Sequence, residues 1–373
     1  YDQLDINTSN HPRKRLKVIR AWARSTAKTF SYKGKHLSIM AQPDNWVSWI
    51  PSGILLGICN SVKQKPNVVI SSSPIPSALI IGYVLSKILR VPWIVDLRDP
   101  LLQVDYPTDS RKRRIFKWLE SIITKNASVV TITTQGTQKL YQERFPDIPN
   151  SFWQMVPNGF DEETFDSIEQ NVSTLKKSSQ VKKIFILLHS GVIYPSERNP
   201  EQFFNAIKEL KEGGKIDDGQ LKVVLRATGH DKFFQSILDR LNISDIVHLE
   251  PIIPFEEAIG EMFTANALLL LQDANCNYQI PAKTYEYIRI GKPILALTPA
   301  DGDTGKLLSE LKQTTICPLD DKSLIKKALI SLLKCNETST DKANYKLFGR
   351  TEQAIKFSTI VEDIMKSPNK YRH

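Results

Sequence analysis

Gln279-Ile-Pro-Ala-Lys-Thr-Tyr-Glu-Tyr-Ile-Arg-Ile-Gly-Lys-Pro-Ile-Leu295 holds three signals in one short stretch. A polar loop comes first, residues 282–290 have helical content, and Gly291-Lys292-Pro293 stops the helix and opens a strand over 293–297. Upstream, the apolar run 267–271 reads as a buried strand. Strand, loop, helix and strand in succession form a parallel βα unit. The same rhythm extends outward on both sides. Strands are expected at 183–189, 222–227, 246–249 and 315–317, and helices at 199–211, 232–241, 254–264, 303–311 and 322–333. The reading is a doubly wound sheet over residues 181–345, closed by a C-terminal helix within 346–373 that packs back on the first half of the chain.

The first half alternates in the same way. Strands are expected at 67–71, 91–95 and 128–133, and helices at 77–89, 111–125 and 137–145. In the 111–125 helix Ile115, Trp118, Leu119 and Ile122 share one face. Residues 1–165 are read as one Rossmann-like domain and the polar stretch 166–180 as a linker. The fold class is therefore α/β, two Rossmann-like doubly wound domains facing a cleft between strand C-terminal edges, where open α/β sheets bind ligands. A doubly wound domain opens with a strand and a glycine-rich loop. Residues 1–10 contain neither, and the chain starts at Tyr1 rather than Met, so the opening strand is expected to precede this sequence.

Charge and composition narrow the function. The net charge is +10, and residues 1–165 carry 22 Lys/Arg against 13 Asp/Glu while residues 166–373 carry 28 against 27. A field confined to one half attracts nucleic acid, anionic lipid or phosphorylated substrates. The basic–aromatic surface motifs of RNA modules are not evident, so nucleic acid is not an expected partner. Residues 13–28 interleave seven cations with Leu16, Val18, Ile19 and Trp22, the pattern of a helix lying on an anionic membrane or of a solvated helix face. The uncharged run 45–62 is interrupted by Pro51, and no stretch offers the roughly 20 unbroken apolar residues of a spanning helix. Cys59, Cys276, Cys317 and Cys335 are too scattered for a disulfide scaffold and include no C-x-x-C pair.

Glu286 lies in the first turns of its helix. A carboxylate there suits paired ribose hydroxyls, or simply complements the helix dipole in solvent. Asp96, Arg98 and Asp99 follow the C-terminal end of a strand, where they orient an acceptor hydroxyl and take its proton or form a salt bridge that pins the loop. Asn158-Gly159 reads as a turn with Gly159 at positive φ, and His189 as a satisfied core histidine. The 302–306 segment Gly-Asp-Thr-Gly-Lys lacks the spacing of a Walker loop.

Several segments in register resemble the family-4-like GT-B glycosyltransferases. They are Pro43-Asp44 with Trp46, the 68–76 strand and loop, Asp96-Leu-Arg-Asp-Pro100, Val156-Pro-Asn-Gly-Phe-Asp161, His189-Ser-Gly-Val-Ile-Tyr194 with Arg198-Asn-Pro200, and the 281–293 signature. The resemblance implies the GT-B architecture and a retaining, metal-independent transfer of a sugar from a nucleoside-diphosphate sugar. The acceptor is a sugar or lipid-linked hydroxyl, in bacterial surface-polysaccharide or glycolipid synthesis. It implies donor contacts from Arg198, Lys283, Tyr285, Glu286, Gly191 and Asn158, with Arg198 and Lys283 on the diphosphate, and acceptor-side chemistry from Asp96, Arg98 and Asp99. No cofactor and no metal are expected, since the chain offers no Asp-x-Asp signature. The setting implied is cytoplasmic, peripheral on the inner face of the plasma membrane. Many members carry a second glutamate eight residues before the first; here that position is Tyr278. A nucleotide-sugar 2-epimerase of the same architecture and a non-catalytic binding subunit are the competing readings.

Overall fold

The computed structural model describes residues 17–26, 42–103, 106–175, 184–334 and 345–366. The chain divides into two compact units, residues 1–130 with 363–373, and residues 131–362.

The first unit begins with residues 17–25 in irregular, non-helical backbone. The basic segment expected as a surface helix is therefore not helical over residues 17–25; residues 13–16 and 27–28 lie outside the described residues. The reason is visible in its bonds. The Ser48 hydroxyl accepts from Arg24 N and donates to Arg24 O, Ser52 Oγ donates to Trp22 O, and Lys17 donates to Asn60 Oδ1 at 2.9 Å. Backbone groups that a helix would use internally are taken by side chains of the next element. That element is α1, Trp49–Lys63. Pro51 does not break it, because a proline in the first turn removes an N–H that has no helical partner anyway.

Strand β1 (Val69–Ser72), helix α2 (Pro76–Leu89), strand β2 (Trp93–Leu97) and helix α3 (Ser110–Asn126) follow. β1 and β2 pair in parallel, Val69 opposite Trp93 through Ser72 opposite Asp96. Asp109 caps α3 by accepting from Lys112 N at 2.7 Å. The buried face of α3 is Phe116, Leu119, Glu120 and Ile123, at i, i+3, i+4 and i+7. Trp118, expected on that face, is 50% exposed. Of the other residues expected there, Leu119 is buried while Ile115 and Ile122 are half-buried, so the packed stripe is rotated toward Phe116.

Strand β3 (Val129–Ile132) leads to α4 (Gln135–Arg144), β4 (Trp153–Met155) and α5 (Glu162–Leu175). α5 occupies much of the stretch expected as a linker. Its polar residues hide a buried face of Phe165 and Ile168, and its acids have a task. Arg289, 1% exposed, is held by Glu162 at 2.9 Å, Asp166 at 2.6 Å and Glu169 at 3.0 Å.

The remaining elements are β5 (Phe185–Ser190), α6 (Glu201–Glu212), β6 (Leu221–Arg226), α7 (Asp231–Leu241), β7 (Val247–Glu250), α8 (Phe255–Thr264), β8 (Ala267–Leu271), α9 (Ala282–Ile290), β9 (Ile294–Leu297), α10 (Asp303–Ser309), β10 (Thr314–Cys317), α11 (Lys322–Lys334) and α12 (Arg350–Lys366). The six strands β5–β10 form one parallel sheet in the order β10-β9-β8-β5-β6-β7. This is the Rossmann order, with the reversal between β5 and β8. Alternate strand residues feed two cores. Leu187, Leu269 and Leu295 belong to one, Leu188, Leu268 and Ile294 to the other. Both faces are covered by helices, which is why β8 is an unbroken apolar run.

Replacing Arg289 by Met is expected to lower stability by about 3 kcal/mol. That is the low end for losing one partner of a buried pair, because the three carboxylates keep partial contact with water. Urea unfolding of the two chains is the measurement.

Candidate functional site

The crevice at the β5/β8 reversal is built from residues of the second unit. His189, the fifth residue of β5, is fully buried. Its Nδ1 lies 2.9 Å from the Leu269 carbonyl on β8 and its Nε2 lies 3.1 Å from Lys283 Nζ. A carbonyl oxygen only accepts, so Nδ1 carries the proton and Nε2 presents its lone pair to the lysine. Burial, then the nearby Lys283, keep this imidazole neutral, well below the usual histidine range.

Helix α9 supplies the other face. Lys283, Glu286 and Tyr287 stand at i, i+3 and i+4, so they share one side. The Tyr287 hydroxyl accepts from Ser190 N at 3.1 Å, tying α9 to the end of β5. Lys283 is half-buried, and its ammonium is the inner end of the side chain, beside a ring shut off from water. Burial lowers its pKa to about 7; Arg198 adds to the lowering and Glu286 opposes it. Glu286 is shifted upward by burial, against the pull of Lys283 and Arg350.

Gly191 follows β5 with φ +115°, and a Cβ there would sit 3.0 Å from Lys283 Nζ. Glycine satisfies both constraints at once. The chain then turns through 191–200, a segment secured by Asp273 N donating to Glu197 O at 2.9 Å and Asn275 Nδ2 to Ser196 O at 3.1 Å. This loop carries Arg198. Its guanidinium lies 5.9 Å from the Tyr194 ring centroid, and its Nε is buried without a hydrogen-bond partner. A shielded N–H donor left over in a polar crevice costs stability unless a ligand completes it.

Among the expected donor contacts, the structure therefore brings together Arg198, Lys283, Glu286 and Gly191. Tyr285 goes elsewhere. It is 1% exposed, on the opposite side of α9, with its ring 5.2 Å from Phe348. A helix turns about 100° per residue, so a neighbour of Glu286 cannot share its face. Asn158 is half-buried on the segment between β4 and α5. Its neighbour Gly159 is not at positive φ; a Cβ there would meet the Phe348 carbonyl oxygen at 2.2 Å, so close backbone approach requires the glycine. His189 is a satisfied core histidine, as its sequence suggested, and also the acceptor for Lys283. Arg350 was missed: it lies 64 positions after Glu286, and nothing local marks it.

Asp96, Arg98 and Asp99 belong to the first unit, at the end of β2. Asp96 accepts from Ser72 Oγ at 2.7 Å and pairs with Arg98 Nη1 at 3.3 Å, while Arg98 N donates to Ser73 Oγ at 2.9 Å. The pair joins the end of β2 to the loop that follows it, and both roles read from sequence stay open to these residues. Among the described residues no group of three or more His, Cys, Asp or Glu forms a metal-binding cluster.

Residues 13–159 match the family model of the glycosyl transferase 4-like domain. No curated protein matches the sequence. Among solved structures, the sucrose-phosphate synthase of Thermosynechococcus elongatus superposes with a TM-score of 0.64 at 12% identity, over 92% of this chain and 83% of that one. HepE of Anabaena in complex with UDP-glucose gives 0.62 at 14% identity, over 83% and 82%. The α,α-trehalose 6-phosphate synthase of Burkholderia multivorans gives 0.63 at 12%, over 86% and 77%. At these identities the likeness is one of fold, and the fold is that of the GT-B glycosyltransferases.

Lys283 ties stability to pH. Its pKa falls from 10.5 unfolded to about 7 folded, so between those values the unfolded chain binds more protons and stability rises with pH. Relative to Lys283→Met, the native chain is expected to gain up to about 1.4 kcal/mol per pH unit above 7. Denaturant unfolding of both at pH 6.5, 8 and 9 checks the slope.

Proposed function

We propose that this chain, which carries a glycosyl transferase 4-like domain in the fold of the GT-B glycosyltransferases, transfers a sugar from a nucleoside-diphosphate sugar to an acceptor hydroxyl. One observation carries the reading: two cations and a carboxylate, Arg198, Lys283 and Glu286, converge at the β5/β8 reversal of a Rossmann-order sheet. Arg198 and Lys283 disfavour each other's charge, and a diphosphate set against both relieves that repulsion. Arg198 Nε gains the acceptor it lacks. Glu286 accepts from two vicinal ribose hydroxyls, which an ionised carboxylate with two oxygens does well. That HepE was solved with UDP and with UDP-glucose supports this ligand class.

In the reaction we propose, the bond between the anomeric carbon and the diphosphate oxygen breaks, and both electrons leave with the diphosphate. The two cations stabilise the charge that develops there, the largest contribution such groups make. The acceptor hydroxyl attacks from the side the leaving group vacates, giving retention, and its proton passes to a phosphate oxygen. With the charge met by Arg198 and Lys283, the step needs no divalent metal. The setting we propose is surface-polysaccharide or glycolipid synthesis at an anionic membrane. Val18 and Trp22, 66% and 59% exposed beside Lys17, Arg20 and Arg24, support peripheral attachment. Among the described residues no helix is long and apolar enough to cross a membrane.

Glu286→Gln is expected to weaken nucleotide-sugar binding by about 1–3 kcal/mol, the range for a hydrogen bond to a charged group. Arg198→Ala and Lys283→Ala are each expected to cost on the order of a hundredfold in kcat/KM, with wild-type rates unchanged by EDTA. Full activity in both alanine variants would overturn the site. Binding itself should move a proton: at pH 8 a nucleoside diphosphate recharges Lys283, so calorimetry in buffers of different ionisation enthalpy should read uptake of up to about one proton, absent in Lys283→Met. Attachment should show as co-sedimentation with anionic but not neutral vesicles, lost as salt rises from 0.1 to 1 M and reduced in Trp22→Ala.

A further inference from the structure

The first unit has a cavity of about 770 Å³ at the edge of its sheet where the strands begin. It lies between the segments that enter β1, β2 and β3, at the opposite end of the strands from the edge where open α/β sheets bind ligands. Lys65, Lys87, Arg90 and Lys125 line it, with Asn67 and Ser128, and it has no carboxylate in its wall. Among the described residues none of the four cations forms an ion pair; Lys87 only approaches the Tyr83 ring, at 5.9 Å.

Cations at this edge have one ordinary explanation. Helices α1, α2 and α3 all end here, and each C-terminus carries about half a negative charge. Lys63, Lys87 and Lys125 sit in the three last turns and answer those dipoles one for one. Lys65 and Arg90 are surplus to that account. Arg90 is also held at φ 54°, in left-handed backbone that glycine or asparagine usually takes at a helix end. The position keeps a long cationic side chain where a small residue would fold more easily.

We propose that this cavity binds a phosphorylated anion, with Lys65 and Arg90 as its principal charge partners and Asn67 and Ser128 able to hydrogen-bond its oxygens. The volume is ample for a sugar phosphate, a nucleotide or a phospholipid headgroup, all of which present the same phosphate chemistry. The site is independent of the Lys283 crevice and does not rest on the proposed transfer reaction.

The test titrates inorganic pyrophosphate into the full chain carrying Lys283→Met, then into the same chain with Lys65→Ala and Arg90→Ala added. A second variant, Asn67→Glu, places a negative charge at an exposed position on the rim and serves if the alanine pair fails to fold. Each is expected to weaken pyrophosphate binding at least tenfold and to flatten its salt dependence. Pyrophosphate affinity unchanged in every variant that folds overturns the site. Parallel co-sedimentation with phosphatidylcholine vesicles, with and without phosphatidic acid, identifies the source. Loss of phosphatidic acid binding alongside loss of pyrophosphate binding assigns a headgroup. Vesicle binding that is unchanged while pyrophosphate binding falls assigns a soluble phosphorylated ligand.

Discussion

An ammonium group placed beside a ring that water does not reach is the constraint around which the second unit is arranged. Lys283 can hold that position only because its surroundings were fixed first. His189 is turned by the Leu269 carbonyl so that its lone pair faces the lysine. Gly191 leaves out the side chain that would crowd it. Tyr287 bolts α9 to the end of β5. None of these groups compensates fully for the lost hydration, and Arg198 makes the electrostatics worse. On the proposed reading, this mutual repulsion is what a bound diphosphate relieves.

The same helix is anchored from its far end by the reverse arrangement. Arg289 is buried as deeply as His189, but three carboxylates of α5 surround it, and the Tyr345 ring lies 4.9 Å from its guanidinium. One turn and a half of α9 therefore passes from a cation without sufficient countercharge to a cation with an excess of it. The saturated end gives the helix a fixed position; the unsaturated end is the one to which the proposed diphosphate is assigned. Tyr285, between them in sequence, is buried on another side of the helix, against Phe348.

Much of this was legible in the residues. The 279–295 stretch gave helix α9 with its observed limits, since Pro281 and Gly291 are strong local punctuation, and β8 was readable because a strand covered on both faces needs no polar residue. Glu286, Lys283 and Arg198 were legible as a group through spacing and family pattern. What stayed hidden was non-local. The acids of α5 look like a solvated linker until Arg289 is placed among them. The buried face of α3 is rotated from the expected one, taking in Phe116 and Ile123 and leaving Trp118 exposed. Residues 17–25 have a helix-like composition, but Ser52 of α1 and Ser48 just before it bind their backbone first. His189 could be read as a core residue, yet its second nitrogen acquires meaning only from a lysine 94 positions away.

The two cores on either face of the β5–β10 sheet have a consequence for how this chain tolerates change. Leu269 and Leu270 are neighbours in sequence but occupy separate interiors, whereas Leu269 and Leu295 are register partners in one. Substitutions at adjacent strand positions should thus be energetically blind to each other, while those paired across β8 and β9 should be strongly epistatic. A volume lost on one face should accordingly be recoverable only by a residue on that face, so the two interiors answer to repacking as separate bodies within a single sheet.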